Sequence, residues 1–275
     1  MLTIILLTFK EIVRRRILLV TVILAAVFLA LYGAAVHYGY QEMSRGAGPL
    51  KALIAPQFLA LGLYFGSFII SFLAVMAAVG TISSEIENGI MHAIVPGPVR
   101  RSTIILGKFC GYSLMLTVFA ALFYIAVLLI VHYNTGLDIP VKAAAAGLFC
   151  LQPLILLAVA MLGSTFLSTL ANGIAAFMLY SVGVVGGMLE QIGYLAGSNM
   201  MVNIGIASSL LMPADAVYRK IVYSLLSVPG ASLSMTMLGP FGSGAEPSVW
   251  MLAYAACYIL GFLLLALRIF SKKDI

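Results

Sequence analysis

The chain has 275 residues, of which 63% are hydrophobic and only 9% charged, and its net charge is +6. A soluble domain carries roughly 25% charged residues, so this chain lacks the polar surface to coat a water-facing globule, and no long polar stretch exists in which a large soluble domain could form. What remains is an all-α integral membrane protein, with apolar runs that each approach the roughly 20 residues needed to cross a bilayer, and a basic excess that reflects membrane orientation rather than a nucleic-acid partner.

Residues 1–16 place Leu2, Ile5, Leu6, Phe9, Ile12 and Val13 at helical spacing, with Lys10, Glu11, Arg14, Arg15 and Arg16 between them. That pattern predicts an amphipathic helix lying in the membrane interface. The first span follows over 17–36, too long for the apolar core of a signal peptide, which runs about 7–15 residues. A polar loop is expected over 37–53, where His37, Gln41, Glu42, Arg45, Gly46, Gly48, Pro49 and Lys51 collect. The second span covers 54–79, and a polar segment over 81–102 leads to the third at 104–131. Breaker residues at Asn134–Pro140 separate it from a fourth span at 143–167. A tight turn near Ser168–Gly173 precedes the fifth at 174–194, and the sixth occupies 249–267 before a short basic tail. These spans and connections form a single transmembrane domain.

Six spans put both termini on one side. That side receives ten basic residues (Lys10, Arg14, Arg15, Arg16, Arg100, Arg101, Lys108, Arg268, Lys272 and Lys273) against five on the other (Arg45, Lys51, Lys142, Arg219 and Lys220). The positive-inside rule therefore predicts cytoplasmic termini. Counting 198–212 as a seventh span would push the C-terminal lysines outside, and the segment is short for a crossing. The outer region, 195–247, contains one clear helical pattern, Ala214, Val217, Tyr218, Ile221, Val222, Leu225 and Leu226, with Asp215, Arg219, Lys220 and Ser224 between. Pro213 suits its first turn and Pro229–Gly230 its end. Such a helix lies on the outer surface or dips inward as part of a re-entrant hairpin.

Catalytic chemistry is not indicated. Gly107–Lys108 resembles the end of a phosphate-binding loop, but Phe109 stands where Ser or Thr is needed and Ser102 where Gly is needed. His37, His92 and His132 do not converge in sequence, and Cys110, Cys150 and Cys257 stand singly, so no metal site or redox pair is predicted. Glu190, near the outer end of span five, is the intramembrane carboxylate, reaching the outer headgroups or lining a substrate exit. Phe65, Phe68, Phe177 and Tyr180 suit an amphipathic or lipid-like cargo along the same path. Gly62/Gly66, Gly107/Gly111, Gly183/Gly187 and Gly193/Gly197 share the GxxxG spacing of close helix packing, and the Gly183–Gly186–Gly187 cluster would loosen span five before Glu190.

The segment 85–108 reads as a cytoplasmic connection containing a short helix. Ser83 or Ser84 is placed to cap its start, Glu85 and Glu87 suit its N-terminal end, Ile86, Ile90 and Ala93 or Ile94 make an apolar stripe, and Pro96 and Pro98 end it. A short, rigid helix between two spans is what a membrane subunit needs to receive a push from a soluble motor. Here the sequence resembles the ABC-2-type permeases of ATP-binding-cassette exporters. The matching positions are Glu85, Glu87 and Gly89, then Pro98, Val99 and Arg101, then Gly107 and Lys108; Ile90 stands where the family has Thr, and Pro96 is an additional proline.

The resemblance implies a coupling helix seated in a groove of a cytoplasmic ABC ATPase, with Glu85, Glu87, Gly89, Pro98, Arg100, Arg101 and Lys108 as the coupling residues. It implies a second permease copy, in a homo- or heterodimer, and residence in the cytoplasmic (inner) membrane of a prokaryote. No cofactor is expected in this chain, and ATP and Mg belong to the partner ATPase. Two other roles fit the same residues less fully: an ATP-coupled mechanical transmitter without a substrate of its own, and an ion-coupled carrier.

Overall fold

The computed structural model describes Thr8 and residues 16–46, 51–89, 101–136, 143–226 and 248–272. Secondary structure among these residues is helical throughout: α1 (Arg16–Gly46), α2 (Lys51–Ala78), α3 (Ser83–Glu87), α4 (Arg101–Thr135), α5 (Ala143–Ser164), α6 (Thr169–Ala196), α7 (Asn199–Leu211), α8 (Ala214–Leu226) and α9 (Val249–Lys272). Six of them, α1, α2, α4, α5, α6 and α9, are long and apolar enough to cross a membrane. The molecule is a multi-pass membrane protein. The interfacial helix expected over 1–16 lies outside the described residues apart from Thr8 and Arg16.

α5 is the hub, packed against α2, α4, α6, α8 and α9. Its Ile155, Leu156, Leu157 and Ala158 are fully enclosed. Lipid tails are as apolar as leucine, so shape and polar contacts, rather than water exclusion, hold such helices together. Gln152 of α5 donates to Ser67 of α2. Gly62 and Gly66 of α2 leave room for Tyr32 of α1 and Phe123 of α4, each of which a Cβ would strike. The outward faces of α1 and α9 remain apolar, with Leu19, Ile23, Leu31, Leu260 and Leu264 exposed, as a lipid-facing surface requires.

Several helices outrun their predicted spans. α1 continues through the expected polar loop to Gly46, and its His37 Nδ1 lies 2.9 Å from Asn134 Oδ1 of α4. Polar side chains do not stop a helix; they only mark where it leaves the apolar layer. The Gly183–Gly186–Gly187 cluster does not loosen span five either, because α6 runs unbroken from Thr169 to Ala196.

Those glycines are a groove for the next two helices. After Gly197, at φ 66°, ends α6, α7 turns back along it. A Cβ on Gly193 would meet Val202, one on Gly205 would meet Glu190, one on Gly186 would meet Ser208, and one on Gly183 would meet Met212. The bend at Met212–Pro213 thus reaches the midpoint of α6, about 20 Å of helix below its end. The chain then reverses, with the two axes inclined at 110°. A Cβ on Gly187 would strike Asp215, and Arg219 stands beside Glu190. α7 and α8 therefore form a bent pair packed against the far half of α6, beside the six candidate spans. The surface position considered for α8 is excluded: Ala214, Val217, Tyr218, Ile221 and Val222 are all enclosed, and so are Asp215 and Arg219.

Candidate functional site

The two ends of α6 carry the polar chemistry. At its start, the turn after α2 and the short α3 are bound to two other spans. Lys108 Nζ of α4 pairs with Glu85 Oε2 at 2.5 Å and donates to the carbonyl of Thr81 at 2.6 Å. Lys108 is only 8% exposed, so its charge is compensated by these groups rather than by water. The Glu and Gly-Lys of the motif, 23 positions apart in sequence (108 less 85), are one ion pair in space.

Glu87 has a different partner. Its Oε1 accepts the backbone N–H of Thr169 and its Oε2 accepts the Thr169 hydroxyl, each at 3.0 Å. Thr169 is the first residue of α6, and Ser168 before it makes no side-chain cap. The first turn of a helix has unpaired N–H groups and a partial positive charge, and Glu87 supplies the missing anionic acceptor from another element. The Ser83 and Thr169 hydroxyl oxygens lie 2.9 Å apart. Deeper in the same seam, Asn172 Nδ2 donates to Val79 O at 3.0 Å and to Ala160 O at 2.8 Å, joining α6 to the end of α2 and to α5.

The helix in this segment is shorter than predicted. α3 stops at Glu87, and Gly89 has φ 72°, a left-handed conformation that suits glycine and closes a helix. Residues 90–100 lie outside the described residues, and with them Pro98, Arg100 and the rest of the expected apolar stripe. Arg101 opens α4. Neither serine caps α3: Ser83 donates to Val79 O at 3.2 Å and Ser84 to Gly80 O, because the preceding turns already offer carbonyls at helical spacing.

Asn172 was not singled out in sequence, where 168–173 reads only as a turn, and Thr169 was equally silent. An Asn172→Leu substitution removes both donated bonds in a buried seam. It is expected to destabilise the bundle by about 1–3 kcal/mol, seen as a lower melting midpoint in detergent, while Asn172→Ser, which keeps a donor, loses less.

At the other end of α6, Glu190 is enclosed rather than directed to the outer headgroups. Its Oε1 meets Arg219 Nη1 at 2.6 Å, and Arg219 Nε lies 3.1 Å from Asp215 Oδ2. Arg219 Nη2 also donates to Ser209 Oγ at 2.9 Å. Two carboxylates thus share one guanidinium, and Glu190 Oε2 accepts no hydrogen bond among the described residues. The Nε–Oδ2 approach is an ion pair at an angle too poor for a hydrogen bond. Arg219, counted above among the loop charges of the far side, belongs to the bundle interior, and Glu190 is not a solitary intramembrane charge. An Asp and an Arg four apart on a helix, with one unexplained carboxylate on a neighbouring span, were the available signal.

The remaining candidates divide. Tyr180 is buried, 6.0 Å from the ring of Phe68. Phe65, Phe68 and Phe177 are each about two-fifths exposed on the faces of α2 and α6. Phe177 lines an apolar groove of ≈ 740 Å³ between α2 and α6, together with Phe72, Val75 and Ile174 and with Glu87, Ser168 and Thr169. Phe65 sits elsewhere, 6.0 Å from Phe28 of α1.

A helical membrane bundle with a short inter-span helix clasped to the start of a later span, and a charged bent helix pair at that span's far end, has the organisation of a transporter's membrane component. The family model described as ABC-2 family transporter protein matches residues 2–275, and the chain belongs to that family. Its members are typically non-catalytic membrane subunits, and membership implies an ATPase partner. No relative was found among curated proteins.

Proposed function

We propose that this chain is the permease of an ATP-driven exporter, in which a separate cytoplasmic ATPase bears on the segment 81–102 and a second permease copy completes the membrane unit. The observation that supports this reading most strongly is the clasp around α3. A segment that merely joined two spans would need no further attachment. Here Glu85 is paired to α4 and Glu87 to α6, while Asn172 holds the end of α2. A displacement of α3 would reach α2, α4 and α6 together, as a rigid-body transition driven by nucleotide requires.

The same reading puts both termini in the cytoplasm of a prokaryote: with Arg219 and Lys108 both buried and ion-paired, four basic residues remain on the far side against nine on the near side. The exposed aromatic residues Phe68 of α2 and Phe177 of α6 would meet cargo or the second copy, with Tyr180 behind Phe68; Phe65, on the side of α1, and Glu190, in the Arg219 cluster, would lie apart from them. An amphipathic cargo suits that face.

The experiment is co-expression with a candidate cytoplasmic ABC ATPase from the same organism, followed by purification and reconstitution in liposomes. Association of the two chains, with ATP hydrolysis that responds to the permease, is expected. Failure to associate would sink the exporter reading. Association without cargo movement, under a screen of lipid-like compounds, would instead favour mechanical transmission.

A further inference from the structure

We propose that Glu190, Asp215 and Arg219 form a proton-binding site, in which the two carboxylates hold one proton between them at neutral pH. The proposal goes beyond the exporter reading and does not depend on it. Its first support is charge and place. Asp215 Oδ2 occupies the space that a Cβ on Gly187 would take. Gly187 and Glu190 stand three apart and share a face of α6, so both carboxylates meet the same guanidinium. With all three groups ionised, the cluster carries one negative charge in excess. Glu190, Asp215 and Arg219 are 8%, 7% and 5% exposed. Val217, Tyr218, Ile221 and Val222 are enclosed on the same helix, so α8 is held in place and water cannot relieve the excess. A buried charge without a partner is costly, and a carboxylate escapes the cost by taking up a proton.

The second support is a pair of unpartnered oxygens. Glu190 Oε2 and Asp215 Oδ2 take part in no hydrogen bond among the described residues, although an ionised carboxylate calls for donors at both oxygens. The neighbouring elements do not make up the missing charge. α5 and α7 contain no charged residue, and the thiol of Cys150 in α5 donates to Thr117 O of α4. Lys51 opens α2, about 20 Å along the helix from Tyr64. Arg268 and Lys272 stand at the opposite end of α9 from Tyr254 and Tyr258, which donate to Leu210 O and Leu211 O of α7. Lys220 follows Arg219 about 100° round α8 and is half-buried. The ionisable side chains facing Asp215 from α2, α6 and α8 are Tyr64, Tyr180 and Tyr218. These are neutral below about pH 10, as are Tyr194 and Tyr223, one turn beyond Glu190 and Arg219.

The test is a pH profile of the full chain in detergent. Unfolded, both carboxylates lose their protons near about pH 4. Above that pH, folding takes up one proton, and stability falls as pH rises until the site has titrated. The wild-type folding equilibrium is expected to weaken by up to about tenfold per pH unit over that range, read as a falling melting midpoint. Glu190→Gln and Asp215→Asn each leave one carboxylate for Arg219. Both are expected to fold, to flatten the slope, and to melt at least as high as the wild type at mildly alkaline pH. In the infrared, the wild type is expected to show the C=O stretch of a protonated carboxyl at neutral pH, lost in either variant.

A cluster that only holds helices together would give variants with a lower midpoint and the wild-type slope. That result overturns the proposal, and so does failure of both variants to fold. Absence of the protonated-carboxyl band from the wild type overturns it without any variant. A midpoint governed by Na⁺ at fixed pH and ionic strength, in place of pH, would assign the site to a metal cation and overturn the proton. None of these measurements uses an ATPase, so their failure is separable from failure of the exporter reading.

Discussion

Replacing Arg219 by methionine is expected to cost the bundle about 3–5 kcal/mol, the usual penalty for removing one partner of a buried ion pair. The variant leaves Glu190 and Asp215 facing each other with no cation between them, at 8% and 7% exposure. It also removes the donor to the Ser209 hydroxyl, which keeps its own bond to Gly205 O. A large fall in the melting midpoint in detergent, or loss of monodisperse protein, is the measurable result. The counterpart is the triple variant Arg219→Met, Glu190→Gln, Asp215→Asn, which removes all three charges. It should recover most of the loss, since replacing an entire buried ionic cluster by neutral groups is often close to neutral. Equal melting points for the wild type and the single variant would show that Arg219 is hydrated and that the cluster is not enclosed.

Lys108→Met is the second large effect, and its consequence differs. Glu85 loses its one charged partner among the described residues and Thr81 loses a donor, which again costs about 3–5 kcal/mol. The double variant Glu85→Gln, Lys108→Met restores neutrality and should restore folding. It should not restore coupling, because the attachment of α3 to α4 is gone. The diagnostic is therefore a protein with a near-normal melting point that binds the ATPase yet no longer influences its turnover. If the double variant couples as the wild type does, α3 needs no tie to α4, and the clasp at Thr169 and Asn172 carries the load alone.

The four-residue spacing of Asp215 and Arg219 was visible in the chain, but their partner was not. Amphipathic periodicity says that a helix has a polar stripe; it does not say whether that stripe meets water or another charge. In α8 the stripe meets Glu190, and lysine and arginine counts that treat every cation as a loop residue misplace Arg219. The glycine cluster in span five posed a similar ambiguity. Glycine lowers intrinsic helix stability, which suggests a loosened span, yet it also permits backbones to touch. Within a lipid-facing bundle the second property prevails, since α7 fills the space that side chains would have taken.

The class of the molecule, its six spans and the acidic and basic motif residues between spans two and three were all determined by the sequence alone. They rest on run length, composition and local spacing, which are properties of contiguous residues and need no knowledge of neighbours. Thr169 and Asn172 as the receivers of the clasp, the reversal of the chain at Met212–Pro213, and the burial of one arginine between two carboxylates were decided only by the tertiary structure. Each depends on which helix lies against which. That choice is made by close approach and by compensation of buried charge across segments remote in sequence, from Glu85 to Lys108, from Glu87 to Thr169 and from Glu190 to Arg219.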